Sequence, residues 1–252
     1  MGNSLSELKE RALAEGSFDA YCLENIKDIH MLAKALYHSN AIEGNPITVN
    51  DTEVLLKAKH NDGNILPQEW VEGKYSLKDK CEVEDLASAF EFMYSNIDSS
   101  TLDEDFILTL HEEVCNSAQD QDPGRYKEFN NYTVHRGMQK FFTPASDVEE
   151  AMENLIDNYN SIRRRTIDDI AELTLEFIHI HPFADGNGRV SRILLNWALI
   201  TNGYPPIVIE IGERDYYIKL LNDYGNSKDS SGFSNFIEDK VMEIYEKILG
   251  GS

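Results

Sequence analysis

Apolar residues recur every three or four positions through most of this chain, which is the spacing of amphipathic α-helices. The pattern predicts helices over residues 5–16, 20–38, 50–60, 83–97, 106–115, 146–159, 166–180, 188–203, 213–224 and 233–249. It breaks at a predicted loop over 61–80, and over 119–145, where two short β-prone runs flank Arg136-Gly137 and predict a hairpin. The expected fold class is therefore mainly all-α, a helical bundle that carries one small β-hairpin.

Turn and capping residues set several of the expected helix ends. Capping boxes are predicted at two helix starts, Thr166 with Asp169 and Ser146 with Glu149. Pro182 disfavours the helical conformation for the residue before it, so the helix over 166–180 should end near His181. The Asp-Gly-Asn-Gly run at 185–188 can turn sharply and bring bare backbone N–H groups close to a ligand. A tight loop between two helices is expected here.

Composition limits the classes of partner. The chain has 252 residues, of which 41% are hydrophobic, enough for one core or a core with a small appendage. The formal charge is 23 − 45 = −22 and the longest basic run is Arg163–Arg165, which argues against nucleic acid as a partner. No apolar run reaches membrane length. The cysteines at 22, 81 and 115 lack C-x-x-C spacing, so reduced thiols in a cytoplasmic protein are expected.

The segment 180–192 concentrates the chemically useful groups: a histidine, a carboxylate, two glycines around an asparagine, and two arginines. Backbone amides at the start of a helix form an anion site. Arg189 and Arg192 share a face of the first helical turn. Cations at this end of a helix interact unfavourably with the helix dipole, and a bound anion would offset that cost. Asp185 suits a Mg²⁺ ion that bridges phosphate oxygens. The segment therefore indicates a polyphosphate site.

Each of these residues also has a plain structural interpretation. Asp185 alone would most often be an N-cap. His181 alone would most often be a helix-end histidine stabilised by the dipole. An arginine pair spaced by three is usually a solvated face. The combination of all these groups within a dozen residues is what favours the functional interpretation.

Residues 181–192, HPFADGNGRVSR, resemble the full signature of the Fic (Fido) family, H-x-F-x-[DE]-G-N-G-R-x-x-R, at every specified position. Ser39-x-x-x-Glu43-Gly44 is similar to the family's inhibitory motif, [ST]-x-x-x-E-[GN]. The resemblance implies an N-terminal region, residues 1–80, with an inhibitory helix at about 20–44. It also implies a Fic core over 81–252, with the hairpin at about 126–145 as the family's flap.

The resemblance implies a protein adenylyltransferase, which moves AMP from ATP to a hydroxyl side chain of a target protein or of itself. The implied roles are His181 as general base, Phe183 packed inward, Asp185 as the ligand of Mg²⁺ (or Mn²⁺), the amides of Gly186, Asn187 and Gly188 as an anion hole, Arg189 on the β-phosphate, Arg192 on the γ-phosphate, and Tyr217 near the nucleotide base. For His181 a near-neutral imidazole pKa is expected, which suits a general base.

The second motif implies autoinhibition within one chain. A Glu43 carboxylate that reaches Arg192 would form a strong, bidentate-capable pair and exclude the γ-phosphate. Ser39 lies one helical turn earlier, from where it is expected to orient that carboxylate, and Gly44 ends the helix. In some relatives the same glutamate helps to hydrolyse AMP from the target, so the reverse reaction is an alternative.

Other functions remain open at the level of sequence. The expected protein partner presents a Ser, Thr or Tyr hydroxyl beside the 131–142 flap, and self-modification or a homodimer is compatible with the pattern. A kinase-like branch of the family carries lysine where this chain has Gly188, which argues against γ-phosphate transfer. Phosphocholine transfer and a nucleotide-sensing module are not excluded. A metal hydrolase that uses His179, His181 and Asp185 is disfavoured, because residues two apart on a helix point to different sides.

Overall fold

The chain folds as a helical bundle in the computed structural model, which describes residues 4–60, 73–117, 122–135 and 138–250. The described residues contain 11 α-helices: α1 Leu5–Ala14, α2 Ser17–Lys27, α3 Ile29–Ile42, α4 Val49–His60, α5 Leu77–Ser95, α6 Glu104–Val114, α7 Val148–Ser161, α8 Ile167–Ile180, α9 Asn187–Thr201, α10 Arg214–Ser227 and α11 Ser231–Ile248. The predicted all-α fold class is confirmed. None of the described helices is both long and apolar enough to cross a membrane.

The predicted hairpin is also present. Strands β1, Tyr132–His135, and β2, Met138–Phe141, pair antiparallel, with Tyr132 opposite Phe141 and His135 opposite Met138. The Arg136-Gly137 pair that was expected to make the turn lies outside the described residues. The hairpin lies between α6 and α7 in the chain and interrupts the run of helices there.

Helix α9 occupies the middle of the bundle. It packs against α3, α5, α6 and α8, and every residue from Arg189 to Ile200 is buried. A helix that is buried on all sides is normally apolar all round, yet this one carries Arg189, Arg192 and Asn196 inward. Asn196 is satisfied by the backbone of Ile207, with Nδ2 donating to its carbonyl at 3.1 Å and Oδ1 accepting from its N–H at 2.8 Å. The two arginines need partners of another kind.

The predicted helix over 20–38 is two helices. Asp28 is extended (φ −84°, ψ 105°) and its side chain accepts from the N–H of His30 at 2.8 Å, so it ends α2 and caps α3. Helix α3 then continues to Ile42, which makes Glu43 its C-terminal cap. The prediction failed here because the apolar spacing runs through Asp28 without a break, while the capping bond depends on local backbone geometry.

Capping predictions had mixed outcomes. The Thr166–Asp169 box is confirmed, with the N–H of Thr166 donating to Asp169 Oδ2 at 2.7 Å. The Ser146 box is wrong: a 3₁₀ turn over Ala145–Asp147 precedes α7, and Ser146 donates its hydroxyl to Asp147 at 2.6 Å instead. Residues 204–210 have no regular secondary structure and lead into a second 3₁₀ turn, Ile211–Glu213. Residues 61–72 of the predicted 61–80 loop lie outside the described residues, and the end of the loop is wrong, because Ser76 caps α5 and the helix begins at Leu77.

The N-terminal helices share the core of the rest of the chain. Leu8 and Ala12 of α1 belong to the same hydrophobic cluster as Tyr245 of α11, and α1 packs directly on α11. Leu36 of α3 is fully buried in this cluster as well. The division at residues 80 and 81 stays a prediction, but the packing fixes α3 firmly beside α9, where the candidate site lies.

Candidate active site

The loop between α8 and α9 starts at His181, which takes a left-handed conformation (φ 52°, ψ 61°) and ends α8. Its N–H still donates to the carbonyl of Phe177 at 2.9 Å. A non-glycine residue in this region costs about 1–3 kcal/mol unless its surroundings enforce it, and such strain concentrates at functional sites. The helix end predicted from Pro182 is therefore present, and it turns the imidazole of His181 out of the helix.

Phe183 and Asn187 close the loop. The phenyl ring of Phe183 is fully buried and stacks on the ring of His111, with centroids 3.7 Å apart and planes 2° from parallel. Asn187 Oδ1 accepts from the N–H of Phe183 at 3.0 Å, and its Nδ2 donates to the carbonyl of Phe183 at 2.9 Å. Phe183 thus packs inward as expected, while Asn187 acts through its side chain as a brace across the loop.

Distant residues hold the loop carbonyls. The N–H of Lys127 donates to the carbonyl of Pro182 at 2.8 Å, Asn131 Nδ2 donates to that of Phe183 at 3.1 Å, and His111 Nε2 lies 3.3 Å from that of Asp185. His111 Nδ1 accepts from the N–H of Gly124 at 3.0 Å, so Nε2 carries the proton. Burial lowers the pKa of His111 to about 4, so its imidazole ring is neutral at neutral pH and Nε2 is its single N–H donor.

Arg192 is committed to helix α3. It is buried, its Nε donates to Ser39 Oγ at 2.9 Å, and its Nη2 donates to the carbonyl of Ser39 at 2.9 Å. The same Nη2 lies 2.8 Å from Glu43 Oε1. The expected Glu43–Arg192 pair is present, through one carboxylate oxygen rather than two. Ser39 contacts Arg192 and not Glu43, because the guanidinium lies between α3 and α9 and takes the Ser39 oxygens as acceptors.

The carboxylate of Glu43 lies at the N-terminus of α9. A Cβ atom placed on Gly188 would overlap Glu43 Oε1 and approach Arg192 Nη1 to 3.2 Å. The first N–H groups of a helix have no partner within the helix and attract anions. Glu43 therefore lies where the sequence predicts a phosphate group, and a side chain at 188 would have to displace its carboxylate.

Asp185 and Arg189 form a looser pair on the other side of the loop. Arg189 is buried and its Nη2 lies 3.7 Å from Asp185 Oδ2, while Asp185 Oδ1 accepts from the N–H of Gly186 at 2.6 Å. The side chain of Asp185 is 54% exposed. Within the described residues no group of three or more His, Cys, Asp or Glu side chains could hold a metal ion. A single exposed carboxylate fits Mg²⁺, which binds one or two carboxylates together with substrate phosphates and water.

A cavity of about 500 Å³ joins these groups. Its described lining comes from the end of α3, the hairpin segment, the loop, α8, α9 and α10, namely Glu43, Tyr132, Thr133, Phe142, Leu175, Ile178, His179, His181, Gly188, Arg192, Arg214, Tyr217, Ile218, Leu221 and Asn222. Tyr217 is among these residues, with its hydroxyl fully buried, and its place beside the nucleotide base stays a prediction. A larger groove of about 1060 Å³, between α6, α7 and residues 124–128, contains none of the predicted site residues. The smaller cavity is the candidate active site.

The electrostatics of His181 differ from the expectation. Burial, with Lys127 as the next contribution, lowers the pKa of its imidazole to about 4, against weaker opposing effects of the Ile178 carbonyl, Asp185 and Glu43. The expected near-neutral pKa is therefore wrong for this structure. The ring of Phe142 stacks on the imidazole with centroids 3.8 Å apart, which contributes to the desolvation. At neutral pH the imidazole is unprotonated and available to accept a proton.

Gly186→Ala is expected to lower the free energy of unfolding by about 1–3 kcal/mol. Gly186 has φ +75°, and an added Cβ would lie 2.8 Å from the buried Sγ of Cys115. Denaturant titration measures the loss, and the same substitution in a Cys115→Ala background should cost less because the sulfur is gone. Equal costs in the two backgrounds would show that the contact with Cys115 does not constrain this turn.

Comparison with known proteins agrees with this site. Residues 101–199 match the model of the Fic/DOC family. The chain is 31% identical over 223 residues to protein adenylyltransferase fic-1 of Caenorhabditis elegans, covering 85% of this chain and 41% of that protein. It is also 31% identical over 221 residues to protein adenylyltransferase Fic of Nematostella vectensis, covering 83% and 48%. The chain thus spans less than half the length of these curated relatives.

A solved structure shows the same architecture. The chain superposes on a Fic domain containing signaling protein from Bacteroides thetaiotaomicron VPI-5482 with a TM-score of 0.79 and 24% sequence identity, over 97% of this chain and 98% of that one. The likeness supports the fold. The match of residues 101–199 to the Fic/DOC family model, which includes residues 181–192, confirms the resemblance drawn from those residues.

Proposed function

The chain carries a Fic/DOC family domain, and from that premise we propose that it is a protein adenylyltransferase restrained by its own inhibitory helix. The observation that carries the proposal is one cavity lined by His181, Gly188 at the α9 N-terminus, and the guanidinium of Arg192. These supply a proton acceptor, an anion site and a cation, which is the set that transfer from a nucleoside triphosphate requires.

The proposed reaction in this cavity is the transfer of AMP from ATP to a hydroxyl group. The triphosphate of ATP would lie across the first turn of α9, where the amides of residues 186–188 and the helix dipole stabilise negative charge. Arg192 would bind the γ-phosphate and Arg189 the β-phosphate. Asp185 would hold Mg²⁺, which would supply neutralisation of the phosphate charge. The hydroxyl of the target, as His181 takes its proton, attacks the α-phosphorus and pyrophosphate leaves.

The protein partner would lie beside the flap. Strands β1 and β2 form a two-stranded sheet, and a hairpin edge can bind an extended segment by strand addition. Tyr132 and Thr133 of β1 line the cavity and are exposed, so a segment paired along this edge would place its hydroxyl residue near His181. A target with a Ser, Thr or Tyr in an extended loop fits this arrangement, and self-modification is one form of it.

Glu43 supports both restraint and a second candidate function. Its carboxylate binds the guanidinium that the γ-phosphate would need, so ATP cannot adopt a productive position while α3 stays in place. The same carboxylate lines the cavity with His181 and is 44% exposed. It could therefore orient a water molecule against AMP already attached to a target, which would make the protein a hydrolase of the modified partner.

Label transfer from ATP separates the proposed reactions. The Glu43→Gly protein, with Mg²⁺ and ATP labelled at either the α- or the γ-phosphate, should incorporate label into protein from the α position alone. Its own chain serves as the acceptor. Label from the γ position would instead make the protein a kinase. No incorporation from either position, even after addition of a cell extract as a source of targets, would contradict ATP as the donor.

A further inference from the structure

Lys127 lies directly behind the His181 loop. Its side chain is 94% buried, given a relative exposure of 6%, and its Nζ donates to Asn131 Oδ1 at 2.7 Å and to the carbonyl of Ile180 at 3.4 Å. Its backbone N–H donates to the carbonyl of Pro182 at 2.8 Å. One residue from outside the loop therefore binds the peptide carbonyls on both sides of His181.

A second chain of contacts runs from Lys127 into the loop. Asn131, which accepts from Nζ, donates its own Nδ2 to the carbonyl of Phe183 at 3.1 Å. The ammonium group also lies 5.9 Å from the ring of Phe142, whose other neighbour is the stacked imidazole of His181. Lys127 is thus connected to His181 through the backbone, through Asn131 and through an aromatic ring.

The charge of Lys127 needs an explanation beyond packing. Among the described residues no carboxylate lies within ion-pair distance of its Nζ, and burial lowers its pKa to about 8. Burial of a cation without a carboxylate is unfavourable, and an apolar side chain of similar length would fill the space at lower cost. Lys127 borders the larger groove and not the candidate active site, and its Nζ donates to Asn131 and to the carbonyl of Ile180, so its charge acts on a protein group beside the loop.

That protein group is the imidazole of His181. Lys127 is the largest contribution after burial to the lowered pKa of His181. The other charges that face the ring come from its own loop, Asp185, and from α3, Glu43, and both raise its pKa. Arg192 and Arg214, from α9 and α10, line the same cavity. The carboxylates would favour a protonated ring, and the ammonium of Lys127 opposes them.

We propose that Lys127 is a positioning residue for His181: it fixes the backbone on both sides of the histidine and places a buried positive charge beside its loop, without contacting ATP or the target. The proposal deepens the proposed function, because it concerns the proton acceptor of that reaction. Its electrostatic part is testable without any activity, so its failure and the failure of the adenylyltransferase assignment give different results.

The direct test is an NMR titration of the histidine ring signals in the full chain, with the His181 signal assigned from its loss in His181→Ala. Lys127→Met removes the charge and keeps an unbranched side chain, so the midpoint of His181 should move to higher pH. Lys127→Arg keeps the charge at all accessible pH values and should leave the midpoint near that of the wild type. An unchanged midpoint in folded Lys127→Met would overturn the electrostatic role.

A second variant covers the case in which Lys127→Met does not fold. Asn131→Asp keeps the acceptor for Nζ and places a carboxylate beside the ammonium, so the positive charge is offset while Lys127 stays buried; the variant also removes the Nδ2 donor to the carbonyl of Phe183. The His181 midpoint is again expected at higher pH. A midpoint equal to that of the wild type would show that the charge at Lys127 is not felt by the imidazole.

Kinetics in the Glu43→Gly background separate positioning from a purely structural role. Lys127→Met should lower kcat by about 10²-fold, since a displacement of about 1 Å at the base has that effect, with KM for ATP little changed. The acid limb of its pH–rate profile should move to higher pH, because the imidazole now protonates more readily, and Lys127→Arg should restore both. A lower melting temperature with an unmoved acid limb would reduce Lys127 to a structural residue.

Discussion

His181→Ala is expected to lower the rate of AMP transfer by about 10²–10⁴-fold, the usual contribution of general acid–base catalysis. The measurement is the initial rate of α-phosphate label transfer in the Glu43→Gly background. The imidazole lines the cavity beside Gly188 and Arg192, and it is unprotonated at neutral pH because burial and Lys127 lower its pKa to about 4. Its loss should leave the affinity for ATP unchanged, since the phosphates are bound by α9 and not by His181.

His179→Ala is the matched control for this prediction. His179 lines the same cavity two residues earlier on α8, so its replacement changes a neighbouring imidazole and leaves His181 in place. This variant should keep most of the rate. Equal loss of rate in both variants would favour a site in which two histidines act together, as in a metal-dependent hydrolase. Retention of function in His181→Ala would indicate a nucleotide sensor that needs no proton acceptor.

Glu43→Gly is expected to raise the rate of transfer by about tenfold or more, because a hydrogen bond to a charged group is worth about 1.5–3 kcal/mol and Arg192 becomes free for the γ-phosphate. Glycine is tolerated at this C-terminal cap of α3, so folding should be preserved. Label transfer from α-labelled ATP measures the effect. Glu43→Gln keeps the size and one hydrogen bond but not the charge, and should give an intermediate rate. A rate unchanged from the wild type in both variants would exclude Glu43 as the restraint.

Local patterns accounted for the helices and for the loop. The apolar spacing located α8 and α9, Pro182 located the end of α8, and the run at 185–188 located the turn. These features depend on residues close together in the chain, where periodicity and backbone preference act directly. The hairpin was found for the same reason, because its strands are joined by only a few residues.

The contacts that position the site could not be predicted in this way. His111 reaches Asp185 across 74 residues, and Lys127 reaches Ile180 across 53. Nothing in the spacing of either residue distinguishes it from an ordinary helix or turn residue. Ser39 was located through its motif, but its partner was misjudged, because the identity of the nearest donor depends on how α3 packs against α9. Sequence indicated the reacting groups, whereas the packing determines what holds them.

The most direct test of the central claim, that Glu43 and the γ-phosphate compete for Arg192, is a calorimetric comparison of ATP and AMP binding. Both nucleotides are titrated into His181→Ala and into the His181→Ala/Glu43→Gly double variant, so that no turnover disturbs the measurement. Removal of Glu43 should raise the affinity for ATP by about tenfold or more. The affinity for AMP, which has no γ-phosphate, should not change. If the affinities for ATP and AMP rise equally, or if neither rises, Glu43 does not act by occupying the guanidinium of Arg192.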